Sequence, residues 1–196
     1  MRLTHANPIP APMLKRLLLI LLLIGFVPGD ARGPLDKEPV MAGVRAFFGP
    51  SRGFDEVDLD LISRARQHID MAAYVLTDRK VIEALESAAK RGVKVRLYLD
   101  PEQPGGRDAV NRRLQNLLHT GHGEIRIKGE GNDFMHLKAF QVDGRWLRTG
   151  SANFSFSGEH KQDNDILVIE NRDVAGAFLR QFEQLWARPG NVAIGR

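Results

Sequence analysis

No cysteine occurs in the 196 residues, which excludes a thiolate nucleophile, a disulfide framework and any cysteine-ligated metal. A chain without cysteine is at ease in an oxidising compartment. A strong excess of one charge is missing too. The formal net charge of +4 suits a phosphate-rich partner only weakly, and Arg2, Lys15 and Arg16 against Asp30 place half of it in residues 1–31. No apolar run reaches the roughly 20 residues of a membrane-spanning helix; the run from Leu17 to Val27 has eleven. Internal repeats and low-complexity segments are also lacking. What is present is ordinary for a folded globular chain: 43% apolar and 27% charged residues, at a length that suits one domain.

Lys15 and Arg16 precede the apolar run, and Gly29 and Ala31 follow with the small-residue spacing of a signal-peptidase site. Residues 1–31 are therefore expected to be a signal peptide. Asp30 makes the site imperfect, so an uncleaved membrane anchor is the alternative. The expected location is periplasmic or secreted, or tethered to a membrane by the leader. Residues 32–43 mix charge with Pro and Gly and read as a linker, leaving 44–190 as the folded domain.

Within that domain the periodicity predicts strands at 44–48, 69–76 and 93–100, with helices over 55–68, 78–91 and 107–120 between and after them. Asp78 is the expected N-cap of the second helix, and Gly92 and Gly121 the expected stops. Four strands then follow in quick succession, at 124–128, 136–142, 145–151 and 165–170. A last amphipathic helix spans 173–187. The fold class is α/β, with helices layered on a mixed sheet.

Asp143-Gly144 is a strong two-residue hairpin signal, because a type I′ turn needs positive φ at both positions. With those two residues as the loop, Lys138 lies opposite Thr149 and His136 opposite Ser151. Strand alternation then sets His136, Lys138, Thr149, Ser151 and Asn153 on one side. Lysine with Ser, Thr and Asn donors can hold a tetrahedral phosphate. A neutral histidine beside them can attack phosphorus or move a proton near neutral pH. With no clustered carboxylates, a metal-assisted route is poorly provided for, and neither a metal nor another cofactor is expected.

His136-x-Lys138-x4-Asp143-x6-Gly150-Ser151-x-Asn153 resembles the signature of the phospholipase D superfamily, and the resemblance runs over residues 44–187. It implies an α-β-α layered domain and a catalytic set of His136, Lys138 and Asp143. His136 would attack phosphorus to form a phosphohistidine, which water then hydrolyses. Lys138 would bind the phosphate and Ser151 and Asn153 would complete the pocket, to which the hairpin register adds Thr149, while Asp143, at the turn, would play a supporting structural part. Family members often carry a glutamate that orients the histidine. Here the matching segment reads KQDNDI, so Asn164 stands at that position with Asp163 and Asp165 beside it.

A second histidine must protonate the leaving oxygen, yet none of the other five histidines is followed by x-Lys. The expectation is a two-fold homodimer that shares two copies of His136 across one phosphate. Arg107, Arg112 and Arg113 read first as a solvated helix start and second as a backbone contact for nucleic acid. His119 and His122 read as solvated; Phe154 and Phe156 read as core before base-stacking. The function expected is a metal-independent, non-specific endonuclease acting on DNA or RNA. Its alternatives are a phospholipid hydrolase associated with a membrane and a silent phosphate-binding module.

Overall fold

The computed structural model describes residues 40–195 apart from 42, 51–53, 130 and 132. The leader and most of the segment read as a linker lie outside the described residues. Among the described residues, no helix is long and apolar enough to cross a membrane.

The first half alternates as the periodicity requires: β1 (Val40–Met41), β2 (Val44–Phe48), α1 (Phe54–Arg64), β3 (His68–Ala73), α2 (Arg79–Lys90), β4 (Lys94–Leu99) and α3 (Gly106–His119). The second half is richer in strands: β5 (Gly123–Ile127), β6 (Lys138–Val142), β7 (Trp146–Gly150), α4 (Phe156–His160), β8 (Asp165–Glu170), α5 (Arg172–Trp186) and β9 (Val192–Ile194). One nine-stranded sheet runs in the order β1-β2-β8-β7-β6-β3-β4-β5-β9, with β3, β4 and β5 parallel and every other neighbour antiparallel. The domain is thus wider than expected at both edges. β1 takes Val40–Met41 from the supposed linker, and β9 lies past residue 190.

Strand alternation sorts the side chains into two layers. Ile69, Met71, Val95 and Leu97 face one way and join the main core with Leu61, Ile62, Leu85 and Leu114 of α1–α3. Ala72 and Tyr98 face the other way, onto Phe182, Leu185 and Trp186 of α5. Arg96 shares that second layer, where Asp70 and Glu183 pair with it and Phe182 flanks its guanidinium at 5.0 Å.

Asp78 does cap α2, accepting from the Lys80 and Val81 amides, and Gly92 follows its end at φ +93. The helix expected over 55–68 stops at Arg64 for a long-range reason. The next amides, of Arg66, Gln67 and His68, donate to the Asp143 carboxylate at 2.8, 2.9 and 2.9 Å. Asp143 sits at φ +53 in the turn beyond β6, at the opposite end of that strand from Lys138. It does not join the catalytic set: it ties the α1–β3 connection to the hairpin. Asp143→Asn keeps the tolerance for that backbone but turns an amide group toward N–H donors. It is expected to lower stability to urea by about 2 kcal/mol while sparing phosphate affinity. A collapse of turnover with unchanged stability would restore a chemical role to Asp143.

The hairpin register departs from the expected one. The Arg145 amide does close the turn on the Val142 carbonyl at 3.0 Å. The ladder, however, pairs Val142 with Trp146, Gln141 with Leu147 and Phe140 with Arg148, so Arg145 is an extra residue. Its carbonyl accepts from the Asn171 amide at 3.0 Å and its side chain pairs with Glu170, which draws it out of the ladder. A one-residue slip reverses every facing position on β7. Thr149 therefore lies on the face opposite Lys138, and Arg148 takes the place beside it.

Candidate active site

The C-terminal ends of β3 and β4 form a rim, the usual place for ligands on parallel strands. Tyr74 follows β3, Asp100 follows β4, and Met135-His136-Leu137 leads into β6. Each piece is anchored from below. Asp100 is buried and accepts the Met135 amide at 2.6 Å and the Glu102 amide at 2.9 Å. Gln103, also buried, donates to the Ala73 and Tyr74 carbonyls and accepts the Leu76 amide at 3.1 Å. Arg113 adds two bonds, to the carbonyls of Leu76 at 2.7 Å and Pro104 at 2.9 Å. That residue is committed to the rim's architecture and not to solvent, whereas Arg107 and Arg112 are exposed on α3.

On this rim the two motif side chains converge on one ring. The His136 imidazole packs against Tyr74, tilted at 54° with centroids 4.5 Å apart, and the Lys138 ammonium lies 4.7 Å from the same centroid. Lys138 Nζ also donates to the His136 carbonyl at 2.9 Å. His136 is exposed, while Lys138 is buried at 7% exposure. Burial pulls the Lys138 ammonium below the usual lysine range, and the charge of Asp100 opposes that pull. An ammonium has three N–H donors, so others remain for a bound oxyanion. The arrangement presents an imidazole to solvent with a fixed cation behind it.

The second half of the motif lies alongside. The Lys138 and Ala152 carbonyls accept from one guanidinium nitrogen, Arg148 Nη1, at 2.9 and 3.1 Å. Ser151 is locked to Asp165: its hydroxyl donates to Oδ1 at 2.5 Å and accepts the Asp165 amide at 2.9 Å. Gly150 permits that closeness, because a Cβ there would collide with the Asp165 carbonyl. Asn153 is half-buried, and its side-chain oxygen has no hydrogen-bond partner among the described residues.

None of the three residues considered for orienting the histidine reaches it by a hydrogen bond among the described residues. Asp165 is engaged by Ser151, and Asn164 donates to the Gly158 carbonyl at 2.8 Å and to Gln162 at 3.3 Å. Asp163 is exposed. What touches the imidazole is Tyr74, a residue that sequence reasoning passed over inside an apolar strand. Phe154 is fully buried, as core packing requires, whereas Phe156 is 60% exposed against His160. His119 and His122 are exposed, and no group of three or more His, Cys, Asp or Glu suited to a metal occurs among the described residues.

Fold and site together define a hydrolase of the phosphodiesterase class. Residues 59–186 match the family described as cardiolipin synthase, PLD-like domain. A phospholipase D of Rickettsia felis is 28% identical over 149 residues, covering 74% of this chain and 70% of that one. The human mitochondrial cardiolipin hydrolase is 27% identical over 122 residues, 62% of this chain and 46% of that one. Among solved structures, Nuc of Salmonella typhimurium, a phospholipase D family member, superposes with a TM-score of 0.67 at 27% identity, over 78% of this chain and 98% of its own. The chain belongs to the phospholipase D superfamily.

Proposed function

We propose that the protein is a non-specific endonuclease that cleaves phosphodiesters through a phosphohistidine, with no metal in the chemistry. The observation that carries this reading is the convergence of His136 and Lys138 on Tyr74, with the imidazole facing solvent. A neutral imidazole nitrogen attacks phosphorus while Lys138 neutralises charge on the non-bridging oxygens. The P–O bond to the leaving alcohol breaks, and that oxygen takes a proton from a second histidine. Water, giving a proton to the now neutral second histidine, then attacks phosphorus and breaks the P–N bond, which restores both histidines.

The second histidine is supplied by another copy of this chain, since His136 alone carries the motif. The reaction needs one imidazole neutral to attack and the other charged to donate, and two copies facing one phosphate supply both. An exposed mouth suits a long phosphate polymer. Phe134, 58% exposed and edge-on to Tyr74 at 6.0 Å, offers a face on which a base can stack. The leader, Lys15 to Ala31, would direct the enzyme out of the cytoplasm or tether it to a membrane.

Phospholipid is the second reading, favoured by the names of the Rickettsia and human relatives. Leu137, 38% exposed and three residues after Phe134, adds apolar surface to the same segment. The separating measurement sets plasmid DNA against vesicles of phosphatidylcholine and cardiolipin, both in excess chelator. Cutting of the plasmid without headgroup release is expected. Headgroup release alone would replace the nuclease reading, and inhibition by the chelator would overturn the metal-free chemistry.

A further inference from the structure

β6 and β7 pair only as far as Phe140 and Arg148. Beyond that point β6 stays on β3, through Ala73 and Lys138, while β7 stays on β8, through Gly150 and Ile166. The two halves of the motif are carried on backbone past the end of their common ladder. Side chains must supply whatever holds them in register there.

One side chain does so. Arg148 is fully buried, and its Nη1 bridges the Lys138 and Ala152 carbonyls at 2.9 and 3.1 Å. Its Nε and Nη2 donate to the two oxygens of Asp58 on α1 at 2.9 and 3.0 Å. The Phe154 ring lies 4.4 Å from the guanidinium carbon. The bridged carbonyls belong to the catalytic lysine and to the residue between Ser151 and Asn153. We propose that Arg148 is a positioning residue, which sets the separation of the Lys138 and Asn153 walls and so the width of the phosphate pocket. This rests on reading those walls as a phosphate site.

Arginine suits the task in a way lysine does not. Its planar fork makes a two-point bond to Asp58 while the remaining nitrogen reaches both carbonyls; one ammonium on a flexible stem cannot hold all four acceptors at once. A plain structural role is the competing explanation, because a buried ion pair can often be replaced by apolar residues of similar volume without loss of stability. That contrast supplies the test.

Asp58→Leu/Arg148→Met removes both charges and the bridge but keeps the volume, and Arg148→Lys keeps the charge opposite Asp58 but loses the double bridge. The probes are bis(4-nitrophenyl) phosphate for turnover, inorganic phosphate for affinity, and the amide resonances of Ala139 and Asn153, whose peptide units carry the bridged carbonyls. The double variant is expected to melt near the wild-type temperature while kcat falls about 100-fold, the scale of a misplacement of about 1 Å. Phosphate affinity should weaken about tenfold, with Arg148→Lys intermediate on both measures. Both amide resonances should move in either variant. Wild-type turnover and unmoved resonances in a folded Arg148→Lys protein would overturn the proposal, whether or not the double variant folds. Moved resonances in a chain whose wild type neither turns over the probe nor binds phosphate would sink the phosphodiesterase reading and leave the bridge standing.

Discussion

Replacing His136 with asparagine is expected to lower turnover by roughly 10⁴-fold or more, because in the proposed mechanism one substitution removes the nucleophile and the acid together. Asparagine still fits beside Tyr74 and can still hydrogen-bond, so the Lys138 ammonium and the rim from Asp100 to Met135 stay in place. Affinity for inorganic phosphate should consequently change little while kcat collapses. A mixed dimer tests the sharing of the site more severely. Differently tagged native and His136→Ala chains, co-expressed and purified as the heterodimer, should show almost no turnover. The one remaining imidazole cannot attack phosphorus and protonate the leaving oxygen at the same instant. Native enzyme quenched in alkali, where the acid-labile P–N bond survives, should carry phosphorus on His136, visible by ³¹P NMR. Half-activity in the heterodimer, or a fully active monomer, would assign each copy its own complete site and defeat the shared arrangement.

The parts of this site that were legible from the residues are those set by short-range rules. Spacing of two joins His136 to Lys138, Asp143-Gly144 forces a turn, and Asp78 and Gly92 bound α2. The register was not legible, although the turn was. Whether Arg145 enters the ladder depends on Asn171 and Glu170, about 25 residues downstream, and nothing in the Asp-Gly pair records that competition. The error then propagated by parity, bringing Thr149 to the catalytic face and hiding Arg148 behind it. Tyr74 and Asp100 were missed for a different reason. Each reads locally as the last residues of an apolar strand, and its significance arises because β3 and β4 are parallel neighbours whose ends abut. A polar or aromatic residue just past a predicted parallel strand was the available signal. β1 and β9, two and three residues long, carry too little pattern to be seen at all.

The largest expected effect on stability comes from Glu159, on the short helix beneath the site. Its side chain is fully buried, and neither carboxylate oxygen has a hydrogen-bond partner among the described residues. Burial, then the charges of Asp78 and Asp58, push its pKa up to about 8 against the partial opposition of Arg148. Around it, Asp55 pairs with Lys80 and lies 3.8 Å from His160, while Asp58 pairs with Arg148. At pH 7 Glu159 is therefore mostly a neutral acid in the folded chain, and an ion in the unfolded one, where it titrates near 4.5. The folded state binds its proton more tightly, so the contribution is intact below pH 4.5. It declines as pH rises from there and is gone above about 8. Across that window the loss is on the order of 4 kcal/mol. Glu159→Gln, neutral at every pH, should remove this dependence. In urea unfolding from pH 5 to 9, the stability of the variant minus that of the native chain should grow with pH and level off above 8. A difference that stays flat would mean that Glu159 titrates alike in both states, and one that shrinks would reverse the sign of its shift. The site should feel the same titration, because Gly158 packs on the Asn153 carbonyl closely enough that a Cβ there would lie 2.6 Å from it. A charge forced onto Glu159 at alkaline pH strains the wall that carries Asn153. Native phosphate affinity should accordingly weaken above pH 8 more steeply than that of the variant.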